Sequence, residues 1–294
     1  MLHGRFSSLP NAIFFALISL VATGFLDVLY KHSADLERSR GIFFLVGGIV
    51  WIISQLILIY LAGRLIIFNA PTIVFGVSTG ILAIVGNIAL VESFRKLDIS
   101  AGSTIYRLNT VGVVVLAFLF LDENLDVKTI TGIGFGILSV IIIYHNPRNS
   151  LSTRALKPYI TLAVTASALR AVYGVVSKYA LTIGANADAI LLLTAIGWAL
   201  GGAVYTFFRN RPIHLSHRNI SYGVMAGLLT TIGAGSLLEA LKYGDATIVT
   251  SIANLSFILA SLISIAKGLE QLTYRKFFAV CLATTSIILL TKSV

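Results

Sequence analysis

The chain has 294 residues, of which 57% are hydrophobic and only 12% charged, with a formal net charge of +10 and a mean hydropathy of +0.92. A soluble domain carries about a quarter charged residues because its surface must stay hydrated, so a chain with half that fraction turns most of its surface to lipid or to other helices. The cations are scattered between apolar stretches instead of forming a run that could follow a nucleic-acid backbone, which excludes that class of partner.

A bilayer crossing needs about 20 predominantly apolar residues, and ten stretches approach or exceed that length. The first, 10–31, carries Ser19, Thr23 and Asp27 at intervals of four, hence on one helical face, and ends at Lys31. It is expected to be retained and not removed as a signal peptide, because it has a counterpart in the second half. The second, 41–62, contains Trp51. Asn69-Ala70-Pro71 then signals a helix start for the third, 70–94, which holds Gly76-x-x-x-Gly80, Asn87 and, near its end, Glu92. In the fourth, 99–120, Ser100, Ser103, Thr104 and Arg107 share a face, with Tyr106 and Asn109 beside them. The fifth, 127–144, is short and includes Gly132-x-x-x-Gly136, and Asn146-Pro147 follows it. The sixth, 158–180, presents Arg170, Tyr173 and Ser177 on one face and Lys178 near its end. The seventh, 188–208, contains Trp198 and leads into Asn210-Arg211-Pro212. The eighth, 218–241, carries Gly223-x-x-x-Gly227 and Glu239. The ninth, 246–266, carries Thr247, Thr250, Ser251 and Asn254, and the tenth, 274–291, has Ala279 and Ala283. Membrane strands are excluded, since the stretches are too long and do not alternate. The lone Cys281 cannot form an intramolecular disulfide.

Adding 147 to a position in the first half gives its counterpart in the second. Lys31 falls on Lys178, Trp51 on Trp198, Arg64 on Arg211, Glu92 on Glu239, Asp98 on Asp245 and Glu123 on Glu270. The chain has only two Trp, and they pair. Residues 1–147 and 148–294 therefore read as two five-span repeats. Five is odd, so the second repeat enters the membrane from the opposite side. The expected fold is all-α, ten transmembrane helices in two inverted repeats around a central cavity, a recurring design of secondary transporters.

A charge in the hydrocarbon layer costs several kcal/mol and faces a partner or a wet path. Asp27, Arg107 and Arg170 are such charges, and Arg170 occupies the repeat position of Thr23. As a substrate site, two arginines against one aspartate favour a carboxylate or phosphate, with Tyr106, Asn109, Tyr173, Asn254 and Asn87 shaping the cavity. The alternative is a structural ion pair of Asp27 with Arg107 or Arg170. The Ser and Thr stripes line the cavity or bond their own backbone. Lys31, Glu92, Lys178 and Glu239 are gate or proton-coupling candidates, or simply helix-end anchors. The Gly-x-x-x-Gly faces let helices approach closely.

Catalysis is disfavoured. Gly76-Val77-Ser78-Thr79 superficially resembles a hydrolase motif, but His3, His32, His145, His214 and His217 lie in loops or at helix ends, out of reach as a base. Neither a zinc motif nor a nucleotide-hydrolysing loop is present in the sequence, so no metal and no cofactor are expected. The expected partners are a small-molecule substrate and the lipid bilayer, with proton coupling through Asp27 or a Glu, in a monomer or homodimer. A lipid-translocating or scaffolding subunit is the competing class.

Ala89-x-x-x-Ser93-Phe94-x-Lys96-Leu97-x-x-x-Ala101 with Leu121-Asp122-Glu123, and Leu237-x-Glu239-Ala240-Leu241-Lys242-Tyr243 with Gly268-Leu269-Glu270, together resemble the drug/metabolite transporter superfamily in its EamA-like branch. The resemblance covers nearly the whole chain. It implies a cavity formed by spans one, three, four, six, eight and nine, and transport of amino acids, drugs, sugars, nucleotide sugars or other metabolites across a prokaryotic cell (inner) membrane. Two departures stand out. Asn109-Thr110-Val111 and Leu255-Ser256-Phe257 replace the proline often found midway along spans four and nine, and Gly24-Phe25 stands where the family commonly has Trp. Loops on one side carry fourteen Lys/Arg and the other side six, which by the positive-inside rule puts the termini outside. The resemblance implies cytoplasmic termini.

Overall fold

The computed structural model describes residues 3–34, 40–121, 126–144, 153–209, 217–268, 271 and 273–291. Twelve α-helices organise them: α1 (His3–Ala34), α2 (Arg40–Leu61), α3 (Ala70–Ser93), α4 (Ile99–Arg107), α5 (Asn109–Phe120), α6 (Val127–Tyr144), α7 (Thr153–Thr182), α8 (Ala187–Arg209), α9 (His217–Tyr243), α10 (Ala246–Asn254), α11 (Ser256–Ala266) and α12 (Tyr274–Thr291). No strand occurs among the described residues. Glu123, Glu270, Arg211, the Asn146-Pro147 and Asn210-Arg211-Pro212 turns, His145, His214 and the junction at 147/148 lie outside the described residues, as do the side chains of His3, Ser100, Thr104 and Ala283.

Every apolar stretch read from the sequence is helical. Among the described residues, seven spans are long and apolar enough to cross a membrane, while Ile105–Phe120, Ile130–Ser139 and Phe277–Ser286 are shorter apolar helices. Large side chains such as Phe14, Leu17, Val21 and Phe25 on α1, or Leu200, Val204 and Phe207 on α8, point outward and exposed. A contiguous apolar belt of this kind is tolerable only against lipid.

Helix starts follow local chemistry where the sequence announced them. Asn69 caps α3, its side chain accepting the Thr72 N–H at 2.9 Å with Pro71 in the first turn. The fourth and ninth stretches differ from expectation, because each is two helices. The breaks fall at Leu108 and Leu255, the same repeat position. There the Leu108 N–H reaches Ile105 O at 3.1 Å and the Leu255 N–H reaches Ile252 O at 3.0 Å. These three-residue bonds tighten the helix as a 3₁₀ turn does, and neither break involves a proline.

The inverted relation is visible where α2 meets its repeat partner α8. Gly41 lies against Thr206, Gly202 against Leu45 and Gly48 against Ala199, and the Trp51 and Trp198 rings meet 5.8 Å apart. Rising numbers in α2 face falling numbers in α8, so equivalent helices run antiparallel. The approach is close because glycine provides it: a Cβ on Gly48 would collide with the Ala199 backbone. Gly80 of α3 similarly backs onto Gly197 of α8, where a Cβ on Gly197 would come within 2.8 Å of the Gly80 Cα. The main packing partners are α2 with α8, α1 with α9, α3 with α7 and α8, and α6 with α12. The two repeats thus interlace, each helix resting chiefly on helices of the other half.

Candidate functional site

Inside this interlaced body α1, α2, α3, α4, α7, α8 and α9 wall a chamber whose free space is about 40 Å³. A single water needs roughly 10–15 Å³ by this measure, so the chamber holds a few waters and must widen to admit a metabolite. Asp27, Arg107 and Arg170 all line it, with Tyr106, Tyr173 and Asn87.

The three charges are not equivalent. Arg107 Nη2 donates to Asp27 Oδ2 at 2.6 Å, and the two side chains are only 5% and 1% exposed. The sequence left open which arginine pairs with Asp27, and it is Arg107. The Arg107 guanidinium also lies 5.0 Å from the Tyr106 ring centroid. Arg170, on the facing helix α7, lies 4.8 Å from the Tyr173 ring centroid and has no carboxylate within ion-pairing distance among the described residues. The chamber therefore carries one balanced ion pair and one unbalanced guanidinium.

Other candidates are placed elsewhere. Asn87 borders the chamber but donates its amide to Ala83 O at 2.8 Å. Asn109 and Asn254 lie outside the chamber wall, at the two helix breaks. The Asn254 amide donates to Asn109 Oδ1 and, at 2.7 Å, to Thr110 Oγ1, while Arg107 Nη1 donates to Asn254 Oδ1 at 3.4 Å. The hydroxyl stripe of the ninth stretch serves its own helix, Thr250 donating to Ala246 O and Ser251 to Thr247 O, both at 2.6 Å. Thr23, like its repeat mate Arg170, lines the chamber, while donating to Ser19 O at 2.6 Å.

The remaining four candidates sit at the helix ends. Lys31 Nζ donates to Phe94 O at 2.6 Å and Leu97 O at 3.4 Å, and Lys178 Nζ donates to the equivalent Leu241 O and Gly244 O at 2.7 and 2.9 Å. Glu92 is held by Arg40 at 2.9 Å, by Arg95 at 3.2 Å and by the Tyr205 hydroxyl. Glu239 receives Arg64 at 3.2 Å and Lys242 at 2.7 Å, and Arg64 also reaches Asp188 at 3.3 Å. The Glu92 cluster is the more enclosed of the two, with Arg40 6% and Arg95 32% exposed, whereas Arg64 in the Glu239 cluster is 45% exposed. Beside that looser end a wider hollow of about 450 Å³ is bordered by Lys178, Asp188 and Lys242.

The model of the EamA-like transporter family matches residues 10–145 and again 157–292, covering both repeats. The chain belongs to the EamA-like transporter family. It is accordingly an integral, multi-pass membrane protein of a family that carries small solutes. No curated protein sequence matches this chain. A crystal structure of another protein, 16% identical, superposes with a TM-score of 0.69 over 98% of this chain and 97% of the other, a likeness of fold. In this EamA-like transporter the chamber departs from the expected set of spans. Helices α2 and α8, the second and seventh stretches, supply Trp51 and Trp198 to the wall, and the ninth does not reach it. Sequence reasoning passed over these two residues and Tyr30, although the coincidence of the only two tryptophans at one repeat position was the signal to follow.

Proposed function

We propose that this chain is a secondary transporter or exporter, working by alternating access, of a small polar or amphipathic metabolite bearing a carboxylate or phosphate, an amino acid among the candidates. Arg170 carries the argument. A guanidinium in the membrane interior is costly without a counter-charge, and Asp27 is already taken by Arg107. Stacking on Tyr173 supplies about 2 kcal/mol when desolvated but leaves the charge unneutralised. A planar fork of this kind suits a bidentate oxyanion. A substrate carboxylate or phosphate supplies the missing charge, and its arrival beside Arg107 gives that guanidinium a second acceptor in competition with Asp27. Protonation of Asp27 at that moment provides a route for proton coupling.

The two ionic clusters act as the gates of this cycle. Both bridge the repeats, through Arg40–Glu92–Tyr205 at one end and Arg64–Asp188 with Glu239 at the other. One is tight and one is loose, which is the asymmetry expected of a single state of an inverted pair. A prokaryotic cell membrane is the proposed location, with the chain acting as a monomer or homodimer.

Reconstitution into liposomes tests the reading. Gradient-driven, saturable uptake is expected for one or more labelled amino acids, organic acids or sugar phosphates, and Arg170→Ala abolishes it while Arg170→Lys retains part. Flux of neutral or cationic solutes alone, indifferent to Arg170, would sink the proposal.

A further inference from the structure

Trp51 and Trp198, the only tryptophans in the chain, meet between α2 and α8 with their ring planes at 89°. Both are essentially buried and both line the chamber. Each indole N–H is buried without a hydrogen-bond acceptor. A buried donor that gives up water without gaining an acceptor weakens a fold, and phenylalanine would keep the edge-to-face contact without that penalty. The space that both rings border is the chamber, so that is where an acceptor for them has to come from. Arg107 Nε is also unpartnered there, so three open donors share the wall with one open carboxylate oxygen, Asp27 Oδ1, and the Thr230 hydroxyl.

We propose that the indole N–H groups of Trp51 and Trp198 form a second, uncharged pole of the substrate site, binding an acceptor oxygen remote from the substrate's anionic group. The inference rests on the anionic reading of Arg170 and narrows it. The substrate class is a short bifunctional anion, with a carboxylate or phosphate at one end and a hydroxyl or carbonyl oxygen at the other. An indole N–H only donates, so it pairs with an acceptor oxygen and turns away a methyl or an ammonium group at that end. A site built of donors discriminates against a ligand that leaves them unpaired. Because the two indoles occupy one repeat position, exchanging the conformations of the repeats exchanges their roles, and the pole serves the substrate from either side.

The experiment is isothermal titration of the purified full-length protein with two matched pairs of probes: butyrate against 4-hydroxybutyrate, and propyl phosphate against 3-hydroxypropyl phosphate. The hydroxylated member of at least one pair is expected to bind about fivefold more tightly, the worth of one good hydrogen bond. Trp51→Phe and Trp198→Phe each reduce that ratio, and the double variant brings it to unity, the hydroxylated anion losing its donors and the plain alkyl anion no longer meeting unpaired ones. Each single variant retains one fluorophore, and its quenching by the hydroxylated probe is expected, a readout that survives should the double variant fold poorly. Equal affinities within both pairs, or a preference that persists in the double variant, overturn the indole pole alone if binding still depends on Arg170. Failure of all four anions to bind the wild type overturns the anionic reading and this inference with it.

Discussion

Arg107 and Asn254 occupy the same position in the two repeats, and they touch: Arg107 Nη1 donates to Asn254 Oδ1 at 3.4 Å. Residues that meet their own repeat mates cannot both be charged alike without repulsion in a poorly screened interior. Trp51 and Trp198, being neutral, keep their identity across the same boundary, whereas the arginine is retained in one repeat and replaced by an amide in the other. The charge asymmetry of the chamber is thus tied to its near-symmetry.

The buried Asp27–Arg107 pair makes opposite demands on stability and function. Arg107→Ala strands the Asp27 carboxylate, and breaking such a pair costs about 3–5 kcal/mol. Asp27→Asn combined with Arg107→Gln removes both charges and is expected to recover most of that loss in thermal unfolding. Transport is not expected to recover with it. Full flux in the neutral double variant would show that the pair is structural only.

Asn254 offers a subtler test at the helix breaks. Asn254→Ala leaves Asn109 Oδ1 and Thr110 Oγ1 without their donor, at a cost of about 1–3 kcal/mol. Asn254→Asp instead puts a second carboxylate against Arg107, competing with Asp27 and with any anionic substrate. A carboxylate cannot donate, so Asn109 Oδ1 and Thr110 Oγ1 lose their donor here as well. The expected result is weaker anion binding with a loss of fold no smaller than the alanine variant's, read by titration alongside the unfolding midpoint.

The two gates are expected to respond unequally. Glu92 is enclosed with Arg40 and Tyr205, and losing hydrogen bonds to a buried charge costs about 1.5–3 kcal/mol each; Glu239→Gln acts on a half-exposed cluster, where an ion pair is worth about 0–1 kcal/mol. In a Cys281→Ala background with Ala83→Cys in the chamber wall, Glu92→Gln should increase labelling by an impermeant maleimide from the Arg40 side. Glu239→Gln should change it little. Equal responses would argue against the Glu92 cluster as the closed gate.

Much of this was legible in the sequence because its cause is local or periodic. Hydropathy located every helical stretch, and the 147-residue offset paired Lys31 with Lys178 and Trp51 with Trp198. The helix breaks were not legible, since Leu108 and Leu255 are ordinary helix formers and the tight turns arise among tertiary polar contacts from Arg107, Asn109 and Asn254. The choice of Arg107 over Arg170 as the partner of Asp27 was hidden for a related reason, because spacing assigns a face to each residue but not the helix that face will meet. Arg40 with Glu92 joins α2 to α3, and Arg64 with Asp188 crosses between the halves. Neither pair has a counterpart at the equivalent position, so the repeat could not suggest them.

Lys31 and Lys178 show how the geometry separates two readings of a helix-end cation. Each donates to carbonyls at the end of a neighbouring helix, Lys31 to Phe94 and Leu97, Lys178 to Leu241 and Gly244, where a positive charge also complements the helix dipole. A tether of this kind acts on stability, whereas a lysine that draws anions to an entrance acts on association and is screened by salt. Lys31→Met and Lys178→Met are each expected to lower stability by about 1.5–3 kcal/mol, by similar amounts because the contacts repeat. The apparent KM for transport should stay within about twofold of wild type and its salt dependence should not change, since a surface steering charge is the contribution that ionic strength removes. A KM that rises in low salt and converges on wild type in high salt, with unfolding unaltered, would assign these lysines to the entrances.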